Sequence, residues 1–358
     1  MILNRFFYKG IKMGSLIIKG APGSPYTRKM LSILRYRRIP YKFIIGGLFE
    51  IGIMNTSHLP KAKVNLMPTF YFENKDKKLE PMVDSTFIIR RLENLYLPRS
   101  VIPSNPVLKF LDYLLEDYAD EWLTKATFHY RWTYNEDIRK AGNTLSRWSS
   151  LTDNEDQIKS IRDDISQRQI SRLHVVGSNK ITSNIIEKSY KNILNLLNIN
   201  MNNYPYTFGH KPIASDFALF GQLTQLAAFD PTPTNIADNI ASRIVAWVGV
   251  MEDLSGLETN NLELVDSHNL TESLRNIFKE IGRTYIPVLI ANQRAVNNNN
   301  EEVETEIDGS LWSQKPFPYQ AKCLQWLKDE YHLLSIKDKK LTENFLNGTG
   351  CEVLCNEK

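Results

Sequence analysis

Hydrophobic and polar positions follow two alternating periods in the first hundred residues. Residues 16–19 form a short apolar run ended by Gly20-Ala21-Pro22-Gly23, the pattern of a buried strand entering a tight loop. Ser24-Pro25 then predicts a helix start, with serine as N-cap and proline at the first helical position, where its missing N–H costs nothing. Met30, Leu31, Leu34 and Ile39 supply apolar positions along or just beyond that helix. Further strands are predicted at 41–45, at 69–72 directly after Met67-Pro68, and at 79–82. A helix over 84–96 carries Phe87, Ile88, Leu92 and Leu95 at helical spacing. The order β-α-β, an irregular segment, then β-β-α defines an α/β unit with a mixed sheet.

Residues 97–105 hold two prolines and little periodicity, and read as an interdomain linker. Up to about residue 255 the pattern is helical. Leu108, Leu111, Leu115, Tyr118, Trp122 and Ala126 form a stripe at steps of three and four. Ile158, Ile161 and Ile165 start a second stripe, and Ile186, Tyr190, Ile193 and Leu197 a third. Phe217, Phe220 and Leu223 make a fourth, and Ile240, Ile244, Trp247 and Met251 a fifth. This is an all-α domain. Beyond it, Leu270, Leu274, Ile277 and Ile281 predict another helix, and 297–300 a loop tip. Val303, Thr305 and Ile307 alternate with acids before Asp308-Gly309, a hairpin signal. A last helix carries Leu324, Leu327, Tyr331 and Leu334. There is no internal repeat of 20–50 residues, and no apolar run approaches the roughly 18 residues of a membrane helix.

Composition narrows the class. A length of 358 residues favours two domains and allows a small third. With 42% hydrophobic and 23% charged residues, the chain has the make-up of a soluble globular protein. A net charge of +4 does not suggest a nucleic-acid partner. The three cysteines, Cys323, Cys351 and Cys355, all lie in the last tenth, which rules out a disulfide scaffold and favours a reducing, cytoplasmic compartment. Residues 1–12 are basic and aromatic but lack a signal peptide's apolar core, and a second methionine, Met13, just before the first strand leads to the expectation that this leader is dispensable. Two glycosylation sequons, at Asn269 and Asn347, read as chance matches without a secretion signal.

Several catalytic signatures are missing: dinucleotide fingerprint, P-loop, serine nucleophile elbow and zinc-protease helix. The six histidines include no pair at i, i+3 or i, i+4, so no metal site is expected. Cys351 and Cys355 read as ordinary thiols on a terminal segment. The informative constellation is Ser24 at a helix N-terminus. Unpaired N–H groups and about half a positive charge there favour an anion, and a serine hydroxyl can donate to an oxyanion or a thiolate. Serine before proline is equally a plain helix cap. Two features shift the balance. Met67-Pro68 precedes a strand, where proline belongs at an edge or a special turn, and Asp84-Ser85 opens a second polar helix N-terminus.

Ser-Pro-Tyr-Thr-Arg-Lys after the first strand, Met-Pro before the third and Asp-Ser at the next helix resemble the glutathione transferase family over residues 16 to about 255. The resemblance implies a thioredoxin-like α/β N-terminal domain at 14–97 and an all-α helical bundle at 105–255. Residues 256–358 would be a helical extension with a small hairpin. It implies a serine-type enzyme of detoxification that uses glutathione as co-substrate, needs no metal, forms a homodimer and acts on a small hydrophobic electrophile. Ser24 falls where the family's hydroxyl stabilises the glutathione thiolate, with Tyr26 a rival donor. Met67, before a cis Pro68, would pair with the cysteinyl part, Asp84 would face the γ-glutamyl amine and Ser85 its carboxylate. Lys63 would meet the glycine carboxylate. No cysteine lies near position 24, which disfavours thiol-transfer chemistry.

Lys211 to Phe220 resembles the family's buried helix start, with Ile213 where members carry a capping Ser or Thr, so the cap must be rearranged, through Ser215. The run from Glu116 to Leu123 and the long C-terminal extension resemble a bacterial-type branch. Phe128-His129-Tyr130-Arg131-Trp132 lies on the first helix of the second domain, with His129 seven residues after Trp122 and so on one face. Core or interface packing is the simpler reading of this stretch. Trp122, His129 and Trp132 are the residues expected to face the electrophile. A non-catalytic scaffold or ligand carrier is the alternative, and a peroxidase or thiol reductase using Cys323 or Cys351 a third.

Overall fold

The computed structural model describes residues 16–46, 56–148 and 151–356. The leader at 1–12 and the first residues of the 14–97 domain lie outside the described residues. The N-terminal unit runs β1 (Leu16–Gly20), α1 (Pro25–Tyr36), β2 (Tyr41–Ile45), β3 (Thr69–Glu73), β4 (Leu79–Met82) and α2 (Ser85–Leu95). Its four strands are ordered β2-β1-β3-β4. β1 pairs parallel to β2, with Ile18 opposite Phe43, and antiparallel to β3, with Ile18 opposite Phe70. β4 closes the edge antiparallel to β3, where Pro81 is tolerated because an edge strand needs no donor outward. Ile18 and Phe70 are fully buried, as are Met30, Ile33 and Leu34 from α1.

The helical region comprises α3 (Pro106–Glu121), α4 (Leu123–Thr133), α5 (Asn135–Arg147), α6 (Glu155–Ile170), α7 (Ser183–Asn200), α8 (Ala214–Leu226), α9 (Pro231–Ile240) and α10 (Ser242–Met251). The stripe from Leu108 to Ala126 is therefore two helices. Trp122 breaks it: Trp122 N–H bonds the Tyr118 carbonyl, but Lys125 N–H bonds the Trp122 carbonyl three residues back, a tight 3₁₀-type step. Outside side chains bind the carbonyls at the bend. The Tyr26 hydroxyl donates to Asp120 O (2.7 Å) and the Gln320 amide to Glu121 O (3.2 Å). The stripe from Ile240 to Met251 also divides, at Ala241, and Ile240 is exposed at the end of α9.

α8 runs through the centre and carries α1 against one side. At Gly221 a Cβ would stand 2.5 Å from the Pro25 carbonyl oxygen and 3.0 Å from Lys29 Cβ, so only glycine admits this approach. The α8 cap is not built through the Ser215 side chain. Asp216 Oδ2 accepts from Ile213 N–H (2.9 Å), and Asp112 of α3 accepts from Ser215 N–H (2.8 Å), which replaces the missing cap hydroxyl.

The extension consists of α11 (Glu272–Asn297), the hairpin β5 (Val303–Ile307) and β6 (Ser310–Gln314), α12 (Pro318–His332) and α13 (Ile336–Leu346). Asp308 and Gly309 both take positive φ (51° and 73°), the two-residue turn that the Asp-Gly pair predicts. The extension shares the main core. Tyr285 of α11 packs on Tyr118 and Trp122, and Tyr331 of α12 on Phe110. Among the described residues no helix is long and apolar enough to cross a membrane.

Candidate active site

Ser24 caps α1. Its Oγ accepts from Thr27 N–H at 3.2 Å, and its own N–H bonds Ala21 O at 3.0 Å. The cap uses an oxygen lone pair and leaves the hydroxyl proton for a ligand. The preceding loop is held from the helical side. Arg131 of α4 donates to Gly23 O (3.1 Å) while its other nitrogens grip the Asp230 carboxylate (2.8–3.0 Å) and Gln225 (2.7 Å). Trp148 closes on Gly23 so tightly that a Cβ there would stand 2.4 Å from its ring.

Ser24 opens into a cavity of about 270 Å³, lined also by Tyr26, Met67, Phe128, Arg131, Trp132, Leu145, Trp148 and Ile165. The wall is mostly aromatic and aliphatic among the described residues, where its one cation, Arg131, is paired with Asp230. The peptide between Met67 and Pro68 is cis, next to the first residue of β3.

Asp84 and Ser85 sit at the N-terminus of α2. Asp84 takes φ 77°, unusual for a residue with a Cβ, and accepts from Thr86 N–H (3.1 Å). Ser85 Oγ accepts from Lys29 Nζ (3.3 Å), so its proton too remains for a ligand. Lys29, buried in α1, also binds Glu116 (2.8 Å) and Asp120 (2.6 Å), and Arg90 binds Glu116 from the other side (3.1 Å). Burial opposes both charges. Even so, Lys29 and Arg90 hold Glu116 down at about 2, and the two carboxylates raise Lys29. Burial pushes Asp120 up to about 6 despite Lys29.

Of the residues expected from the sequence, Ser24, Tyr26, Met67 and Trp132 meet in the cavity, while Asp84 and Ser85, at the start of α2, are not among its lining. Tyr26 contributes its ring only. Its single O–H is given to Asp120 O and burial raises its pKa well above the ordinary value, so it has no proton for a thiolate. Trp122 and His129 are outside the cavity lining. Trp122 Nε1 donates to Ser189 (2.7 Å) and its ring lies 5.0 Å from Trp312. His129 pairs with Ser178 Oγ (2.9 Å) and Glu187 (3.3 Å), with burial lowering its pKa. Both face the interior, Trp122 toward Ser189 of α7 and Trp312 of the hairpin, and His129 toward Glu187 of α7. Lys63 is exposed ahead of β3. Cys323 and Cys351 are buried thiols whose pKa values burial raises, which opposes nucleophilic work. Among the described residues no group of three or more His, Cys, Asp or Glu could hold a metal ion.

Lys29, Glu116, Asp120, Arg131 and Trp148 were given no role from sequence. A signal existed for two of them: Asp112, Glu116 and Asp120 recur every four residues inside an apolar helix, an acidic stripe that needs a buried partner.

Buried carboxyls also set a pH dependence. Burial holds Asp120 and Asp216 up at about 6, Asp117 at about 7 and Glu121 at about 8. In the unfolded chain they titrate near pH 4. The folded protein therefore binds more protons between about pH 4 and 8, and stability falls as pH rises through that window. His129, lowered by burial, acts in the opposite sense but is one group against four. The urea midpoint is expected to fall from pH 5 to pH 8; a midpoint that rises would contradict the burial of these groups.

A four-stranded mixed sheet in β-α-β and β-β-α halves, with a cis-proline beside a helix N-terminus, is a thioredoxin-like domain, and here it precedes a mostly helical region. Residues 19–100 match the glutathione S-transferase N-terminal domain. No curated protein matches the sequence. Among solved structures, the chain is similar to a glutathione S-transferase from Rhodospirillum rubrum F11 (15% identity, TM-score 0.42, 70% of this chain and 96% of that one). It is also similar to a glutathione transferase family member from Pseudomonas fluorescens Pf-5 with two glutathione bound (11%, 0.40, 67% and 92%). A third is maleylacetoacetate isomerase from Anaeromyxobacter dehalogenans 2CP-1 with bound dicarboxyethyl glutathione (12%, 0.36, 70% and 96%).

Proposed function

We propose that this chain binds glutathione and uses the Ser24 hydroxyl to hold its sulfur as thiolate for attack on an apolar electrophile. The observation that carries this is Ser24 Oγ, which caps α1 as an acceptor only and lines an aromatic cavity at the positive end of that helix. A free thiol titrates near 8.5, so one donor hydrogen bond and a helix N-terminus raise the reactive fraction at neutral pH. Met67 presents its backbone to the cysteinyl unit, Ser85 its hydroxyl to the γ-glutamyl carboxylate, Asp84 its carboxylate to the ammonium, and Lys63 its charge to the glycine end. With an aryl halide, the sulfur forms the C–S bond, the C–halogen bond breaks, halide leaves, and the thiol proton goes to water. Phe128, Trp132 and Trp148 suit a flat apolar ring. The homodimer and the cytoplasmic location that accompany this reading are open to sedimentation and imaging.

A second reading, a non-catalytic ligand carrier, is favoured by one contact: Tyr319 of the extension reaches Asp84. Binding of glutathione with turnover of an aryl halide supports the enzyme; millimolar glutathione that fails to bind sinks both roles for the thiol.

A further inference from the structure

The extension meets the N-terminal domain at a polar point. Tyr319, in the first turn of α12, donates its hydroxyl to Asp84 Oδ2 at 2.7 Å, while Thr86 N–H occupies Asp84 Oδ1. This is not a loose contact. Asn292 of α11 clamps the backbone of Phe317 through both its amide atoms (2.7 and 2.9 Å). Gln320 is fixed on Glu121, and Trp326 packs edge-on against Phe87 of α2 at 4.9 Å. Asp84 and Tyr319 remain partly accessible.

A phenol that gives its proton to a carboxylate keeps lone pairs on its oxygen and becomes a better acceptor. Asp84 Oδ2 and Tyr319 Oη thus form two acceptors side by side, 2.7 Å apart. That pair matches a primary ammonium, which carries three donors and a charge; an acylated amine, with one donor and none, matches it poorly. Resting on the glutathione reading above, we propose that Tyr319 is a binding residue supplied by the extension, which with Asp84 selects thiols bearing a free γ-glutamyl ammonium.

Calorimetric titration of the full chain with glutathione, and with the same tripeptide lacking the amino group, tests this. The unmodified protein should prefer glutathione, and Tyr319→Phe should weaken glutathione about tenfold, the range of one hydrogen bond to a charged group, while leaving the deaminated thiol unchanged. Equal loss for both thiols would make Tyr319 a packing residue, and tighter glutathione binding by the variant would make it a plug. Either overturns the proposal while the glutathione reading stands. Failure of the unmodified protein to bind either thiol overturns that reading itself.

Discussion

Replacing Ser24 with alanine is expected to lower glutathione conjugation about 10²–10³-fold, the usual cost of one donor to a developing or fixed anion. The same change removes the α1 cap and about 0.5–2 kcal/mol of stability, so lost activity alone would be ambiguous. Ser24→Asp separates the two effects. Aspartate caps a helix as well as serine does but offers a carboxylate, not a donor, to the sulfur. It should keep the urea midpoint near that of the unmodified protein and still lose the activity. If Ser24→Asp turned over glutathione at the unmodified rate, the hydroxyl would have no part in the chemistry.

Lys29→Met should produce the largest loss of stability, about 3–5 kcal/mol, because it leaves buried carboxylates without their cation. Arg90 still reaches Glu116, so the strain falls on Asp120. Asp120 already titrates at about 6 beside Lys29, and without it the carboxyl will hold its proton to higher pH still. The deficit should therefore be smaller at pH 5, where Asp120 is neutral, than at pH 8. Because Lys29 also supports Ser85 Oγ, the variant should bind glutathione more weakly wherever it is folded. A loss below about 1 kcal/mol at pH 8 would show that the network does not bear on stability as its geometry requires.

The N-terminal domain was legible because its signals are local. Ser24-Pro25 caps and starts α1 and the loop before it ends β1; in the extension, Asp308-Gly309 turns the hairpin in the same way, each fixed by a few adjacent residues. The break at Trp122 was not legible, since apolar spacing of three and four continues across it and the side chains that bind the carbonyls at the bend, Tyr26 and Gln320, lie 94 and 199 residues away. The helices α5 and α13 were missed because they bury few apolar side chains: Ala141, Gly142 and a few polar groups in one, Thr342 and Leu346 in the other. For the site, the motif residues could be placed, but an aromatic stripe looks the same whether it faces a cavity or the core. Trp132 faces the cavity, whereas Trp122 and His129 are spent on Ser189, Ser178 and Glu187. Tyr319 meeting Asp84, 235 residues apart, leaves no trace in local pattern.

The proposed chemistry rests on Ser24 holding a ligand thiol as thiolate. The most direct measurement is the ultraviolet thiolate absorbance of glutathione bound to the protein, followed against pH. The bound thiol should titrate well below the roughly 8.5 of a free thiol, and Ser24→Ala should return it toward that value. A bound thiol that titrates like the free one in the unmodified protein would contradict that role for Ser24.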